Sequence, residues 1–226
     1  MSFRIYEDLH HILSRLPKWK SPRDPGLNIP ENGLYIHYQS GETFKDSSGK
    51  RLPRIVRVGS HTGAGRLEKR LASHYDPKPS FVSSFSNQVR TALINRYAIP
   101  EWISLSDDAW SAKVEGHYSD DYWLEKTKSY LLKKFRFSVL QLPDLEECDK
   151  WEKKLIITLA PYSYYFASGT WLGFHHRSKI EDKRAFSRIR KFGLWNIQGT
   201  SPASFPDEIC KGQLTELEGM VAKSMD

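Results

Sequence analysis

The stretch from Gly33 to Tyr75 limits what this chain can become more than any other. Two apolar runs of strand type, Leu34-Tyr35-Ile36-His37-Tyr38 and Arg54-Ile55-Val56-Arg57-Val58, flank a polar, glycine-bearing loop over 39–53. The second run ends at Gly59. After the bridge His61-Thr62-Gly63-Ala64-Gly65, the segment from Leu67 to His74 has helical spacing. This order predicts a two-stranded hairpin that feeds a helix. Alternation along the first strand puts Tyr35 and His37 on one side, with Leu34, Ile36 and Tyr38 on the other. Arg70 and His74 are four residues apart and share a helix face. A phenol, a guanidinium and an imidazole therefore converge where hairpin and helix meet. The glycine-rich bridge lacks the Lys-Ser/Thr ending of a nucleotide-binding loop, which excludes that reading.

The rest of the chain reads as helices around one further strand. Phe3, Tyr6, Leu9, Leu13 and Leu16 predict an amphipathic helix over 3–16, and Pro17, Pro22, Pro25 and Pro30 enforce an irregular connection after it. Such an arm packs back on the domain by default. Phe85, Val89, Ala92, Leu93 and Tyr97 recur at helical spacing, with Arg90 and Arg96 on the same segment. Trp102 and Trp110 lie in a loop or short helix over 101–118. A helix is expected from Tyr122 to Phe135, and a third strand over 137–140. Between Asp149 and Ala160, Leu155, Ile156 and Leu159 make a buried stripe closed by Pro161. Glu152 lies beside that stripe, and a carboxylate there needs a partner or a metal. A short final helix is expected from Leu214.

Composition decides which partners such a fold suits. The chain has 226 residues, 34 of them basic and 27 acidic, for a net charge of +7. That balance suits an anionic partner such as nucleic acid. Seven Trp, eleven Tyr and eleven Phe exclude a disordered chain. The positive charge gathers in three places. Lys50, Arg51 and Arg54 flank the 39–53 loop as a finger against phosphates. Arg90 lies on the helix around residue 90, and the block 175–192 presents Arg184, Arg188 and Lys191 together for a DNA backbone contact. Cys148 and Cys210 make neither a disulfide framework nor a zinc site, and two free thiols fit a reducing cytoplasm. No stretch approaches 18 apolar residues and no apolar signal run opens the chain, so a cytoplasmic protein with no membrane partner is expected.

Phosphodiester hydrolysis needs an oriented water, a proton acceptor, positive charge on the phosphate and usually a divalent cation. Tyr35, Arg70, His74 and Glu152 supply that inventory, and a lone acid suggests one metal ion. In this arrangement the chain resembles the GIY-YIG nuclease superfamily, and it is most similar to the restriction-endonuclease-type members. Gly33-Leu34-Tyr35 stands as the first motif, Arg57-Val58-Gly59 as the second with arginine in place of its tyrosine. Arg70 matches the catalytic arginine of the helix, and Glu152 the metal-binding glutamate of a later helix. The resemblance implies an α+β fold, a small three-stranded antiparallel sheet flanked by helices with helical insertions and a basic C-terminal extension. It implies cleavage of double-stranded DNA through one Mg²⁺, or Mn²⁺, held by Glu152. Tyr35 is then the base or water-orienter, Arg70 steadies the scissile phosphate, Tyr35 or His74 handles the proton and Arg57 supports the site.

The matching division is an N-terminal helical arm over 1–30, a catalytic core over 31–165 with an insertion at about 76–135, and a basic extension over 166–226 that contacts DNA. A symmetric target suits a homodimer. Two other readings stand beside this one. One is a catalytically inactive DNA-binding protein that retains the fold. The other is an interaction protein using the Tyr- and Trp-rich patch at 162–171.

Overall fold

The computed structural model of the chain describes residues 3–63, 65–76, 83–98, 109, 121–176, 183–196 and 209–225. Three strands, β1 (Gly33–Lys45), β2 (Arg51–Gly59) and β3 (Phe135–Gln141), form one antiparallel sheet in the order β2-β1-β3. Seven helices are described around it. They are α1 (Phe3–Leu13), α2 (Leu67–Tyr75), α3 (Ser84–Ala98), α4 (Asp121–Lys134), α5 (Leu145–Ser163), α6 (Lys183–Phe192) and α7 (Lys211–Lys223), with a short 3-10 turn at Leu172–His175. The α+β class and the three-stranded antiparallel sheet agree with the sequence expectation.

β1 is the middle strand, so both of its faces are covered and every residue from Gly33 to Gln39 is buried. Leu34, Ile36 and Tyr38 meet α1, α5 and α7 on one face. Tyr35 joins Val56, Phe137 and Val139 against α2, α3 and α4 on the other. Each fully buried aliphatic or aromatic side chain in such a layer stabilises by about 1.5–3 kcal/mol. Tyr6 and Leu9 of α1 and Leu217 and Val221 of α7 lie in the first cluster, so both ends of the described chain pack on the core of the sheet. Among the described residues no helix is long and apolar enough to cross a membrane.

The hairpin is longer than the sequence suggests. A loop over 39–53 is expected, yet the strands run on to Lys45 and resume at Arg51, leaving a turn of residues 46–50. Phe44 pairs with Leu52 and both are buried, which prolongs the apolar face beyond the polar Gln39–Gly41 segment. Asp46 closes the turn by accepting from Lys50 N at 2.8 Å and Ser48 Oγ at 2.7 Å. The ends of other elements move by a few residues. Pro161, expected to stop α5, sits inside its last turn.

Both sheet edges are covered, as open edges invite unwanted pairing. Trp19 bridges to Phe137 beside β3. On β2, Trp195 N donates to Val56 O at 2.8 Å, and Asn196 both accepts from Val58 N and donates to Val58 O.

Arg54 departs from its expected place. It is fully buried, with Nε and Nη2 donating to Glu42 Oε2 at 3.1 and 2.8 Å. Its Nη1 donates to Gly193 O at 2.6 Å and Ser163 O at 3.3 Å, and the guanidinium lies 5.1 Å from the Trp171 ring. Expected as a phosphate contact, Arg54 instead fastens the end of α5 and the chain after α6 to the sheet. Inward alternation along β2 puts it there, and Glu42 compensates the buried charge.

Candidate active site

The site is built where β1 begins and β2 ends. Tyr35 pairs with Gly59 across the hairpin, and its ring lies over that glycine. A Cβ on Gly59 would fall 2.2 Å from Tyr35 Oη, so only glycine admits the phenol there. A Cβ on Gly33 would likewise fall 2.4 Å from Leu140 O, so the close pairing of β1 with β3 requires glycine too.

Tyr35 is 1% exposed, and its Oη lies 3.0 Å from His74 Nε2. His74 Nδ1 lies 2.7 Å from Ser83 Oγ, which is 2.8 Å from Ser86 Oγ. Ser86 Oγ donates to His74 O at 2.8 Å, because a carbonyl only accepts. The remaining directions follow from that one. Ser83 Oγ donates to Ser86, His74 Nδ1–H donates to Ser83, and the bare Nε2 accepts the Tyr35 hydroxyl. Burial first, then the positive charge of Arg57, holds the His74 pKa well below the ordinary histidine value, so this ring stays neutral. His37, on the same side of β1, is packed against Tyr35, Tyr75 and Phe85, and neither ring nitrogen has a hydrogen-bond partner among the described residues.

Glu152 approaches from α5. Its Oε2 accepts from Ser60 Oγ. Ser60 follows Gly59, so the phenol and the carboxyl flank adjacent residues at the end of β2. Burial raises the Glu152 pKa above the ordinary carboxylate value, while Ser60, Arg57 and Arg70 draw it back. Arg57 is 7% exposed; its Nη1 donates to Trp195 O and its guanidinium lies 4.8 Å from the Phe85 ring. It stands beside His37, His74 and Glu152 as a buried cation turned inward. Arg70, half-buried on α2, lines a cleft of about 650 Å³ together with His61, Arg66 and Lys69.

The sequence-predicted residues divide into two groups. Tyr35, Arg57, Arg70, His74 and Glu152 come together at this corner. The expected DNA contacts do not. Arg90 is buried in α3, where its Nη2 donates to Asn87 Oδ1 at 2.7 Å, and it offers no surface to a phosphate. Lys50 and Arg51 are exposed at the turn of the hairpin, where Arg51 is eight residues of β2 from Gly59, the partner of Tyr35, and so up to about 26 Å away. Arg188 and Lys191 lie on α6, half-exposed and exposed, and the side chain of Arg184 lies outside the described residues.

Sequence reasoning missed Ser60, His61, Ser83, Ser86 and Asn196. Ser83 and Ser86 carry a helix-start signal, a serine followed by another three residues on, which reads only as a cap. His61 is buried on the cleft wall. Its Nδ1 donates to Gly63 O at 2.6 Å and its Nε2 has no hydrogen-bond partner among the described residues.

Among the described residues no three His, Cys, Asp or Glu side chains gather as a metal cage. Glu152 alone fits a divalent cation of the Mg²⁺ kind, which binds through one or two carboxylates and completes its shell with water and substrate phosphate oxygens. Its half-buried carboxyl has Ser60 as its hydrogen-bond partner and no ion pair among the described residues, so a cation there would offset the cost of its partial burial.

Comparison with known proteins gives one match. The family model described as the GIY-YIG domain matches residues 2–224. No curated protein matches the chain, and no solved structure does.

Proposed function

Since the chain belongs to the GIY-YIG domain family, we propose that it is a nuclease acting on DNA, and more narrowly a divalent-metal-dependent endonuclease that hydrolyses phosphodiester bonds in double-stranded DNA. One observation carries this reading. A phenol, a carboxyl and a cation from three separate elements meet around Gly59 and Ser60, beside a basic cleft.

The roles follow from the hydrogen bonds. His74 Nε2 accepts a hydrogen bond from the Tyr35 hydroxyl and leaves the phenolic lone pairs to orient the attacking water. Kept neutral by its surroundings, His74 is a positioning residue through Ser83 and Ser86 rather than a proton store. Arg70, whose side chain makes no hydrogen bond or ion pair among the described residues, is left to stabilise charge on the phosphate. Arg57 contributes a fixed positive charge behind the site. Glu152 would hold the divalent cation, Mg²⁺ or Mn²⁺, which supplies Lewis-acid activation of the phosphate and its water.

We extend the reading to a restriction or other defence enzyme, working as a homodimer on a symmetric site. Its support is the long connection from α2 to β3, an insertion at about 76–135 within a core over 31–165. The extension over 166–226 is then a second place of DNA contact through Arg188 and Lys191. The inactive DNA-binding alternative draws on Arg57, which occupies the place of a second tyrosine and engages Trp195.

Incubation of varied unmethylated duplex DNAs with the protein and Mg²⁺ separates the two. Discrete fragments that vanish in Glu152→Ala, in Arg70→Ala and on chelation support the nuclease. Salt-sensitive binding without cutting, in Mg²⁺ and in Mn²⁺, refutes it in favour of the binding protein.

A further inference from the structure

We infer that the outer face of α2, with Arg66, Lys69 and Arg70 and continued by Arg23, is a phosphate track for the DNA strand that flanks the scissile bond. This inference rests on the nuclease reading and adds where the substrate backbone runs.

The helix is strongly two-faced. Leu67, Leu71, His74 and Tyr75 bury one side of α2. Arg66, Lys69 and Arg70 fall three and four residues apart on the other, so their side chains are neighbours. All three line the same cleft of about 650 Å³, and Arg23 of the N-terminal connection lines it too. Arg66 and Lys69 are exposed and make no side-chain hydrogen bond or ion pair with any described residue. The one carboxylate on the described wall is Asp76, already engaged by Arg23 at 3.3 Å and Lys128 at 2.9 Å. Arg66, Lys69 and Arg70 thus face a single carboxylate that Arg23 and Lys128 have already claimed.

Unpaired like charges crowded on one short helix repel one another, and a polyanion relieves that cost. Geometry favours an extended strand over a compact anion. From Arg66 to Arg70 the helix rises about 6 Å. Successive phosphates on one DNA strand advance about 3.4 Å along the axis. The two arginines therefore address neighbouring or next-neighbouring phosphates, and Arg70 is the one whose charge also reaches Glu152. The track leads away from the catalytic corner along the protein surface.

The test uses full-length protein carrying Glu152→Gln, so that DNA is not cut, and follows the anisotropy of a fluorescein-labelled duplex across a KCl series. Adding Arg66→Ala and Lys69→Ala is expected to lower the slope of log Kd against log [KCl] by about 2, one unit for each lost phosphate contact. Affinity at low salt is expected to fall about tenfold or more for every duplex sequence alike. The charge-keeping pair Arg66→Lys and Lys69→Arg is expected to retain the slope. Circular dichroism melts of each variant confirm that these exposed substitutions leave the fold intact. An unchanged slope and affinity in the double alanine variant, with the parent still binding DNA, overturns the track and leaves the nuclease reading standing. No salt-dependent binding by the parent overturns both.

Discussion

The two ends of the β1–β2 hairpin are made from the same pair of strands and are finished in opposite ways. At the turn, Asp46 is satisfied by Ser48, the Lys50 backbone and His11 at 2.9 Å, while Glu7 accepts from Ser47 N at 2.5 Å. The acids there have their partners in place. At the open end, Arg66, Lys69 and Arg70 have none among the described residues, Glu152 is half-buried with a serine, and both nitrogens of His37 are orphaned. Buried polar groups are normally satisfied, so the unpartnered groups of the open end are the ones a ligand would engage under the nuclease reading proposed above. The difference sets a turn closed by its own hydrogen bonds against an opposite end whose cations have no partner among the described residues.

Substitutions that treat the two ends alike test this contrast. Glu152→Ala is expected to lower the single-turnover cutting rate by about three orders of magnitude, roughly 4 kcal/mol of barrier. Asp46→Ala, at the turn, should leave cutting of the folded protein intact, and an equal loss in both would erase the contrast. Arg54, midway along the hairpin, belongs to the structural half. Arg54→Met leaves Glu42 buried without its cation, and urea unfolding should show a loss of about 3 kcal/mol or more. Tyr35→Phe keeps the ring but removes the hydroxyl that His74 accepts, with an expected loss of about 10²-fold in rate at saturating DNA. A Tyr35→Phe variant as active as the parent would remove the phenol from the chemistry.

The carboxyls at the two ends should also titrate with opposite signs. Burial raises the pKa of Glu152 above 4.5, so the metal-free protein is stabilised below that pH and loses this contribution as pH rises through the folded value. Ser48 chiefly lowers the pKa of Asp46 below 3.8, so its contribution is present above that pH and lost as pH falls through the folded value. Denaturant midpoints across pH should flatten above 4.5 in Glu152→Gln and below 3.8 in Asp46→Asn. The same direction of change in both variants would deny the contrast. The smallest effect is expected from Lys50→Ala with Arg51→Ala, which should change the cutting rate by less than about twofold, since both lie far from the corner.

Much of this architecture is written locally. Alternation with period two placed Tyr35 and His37 on one face of β1, and the four-residue step placed Arg70 beside His74. The apolar stripe of α5 was legible in the same way, and so was the lone acid beside it. Residue type also announced that Glu152 needed a partner. What could not be read were partners distant in sequence. Arg54 and Arg57 look alike in the chain, and both proved to be buried. Glu42, Ser163 and Gly193 enclose the first, while Phe85 and Trp195 enclose the second. Arg90, which helical spacing left open to solvent, is covered once α3 packs.

The chain by itself determined the three strands, the facing of their side chains and the residue types that meet at the corner, because those depend on periodicities spanning a few residues. Tertiary structure alone decided which cations are buried and which remain free, that Ser60 meets Glu152 across 92 residues, and that Asn196 closes the edge of β2. Burial and charge pairing are set by groups remote in sequence, and a local pattern carries no record of them.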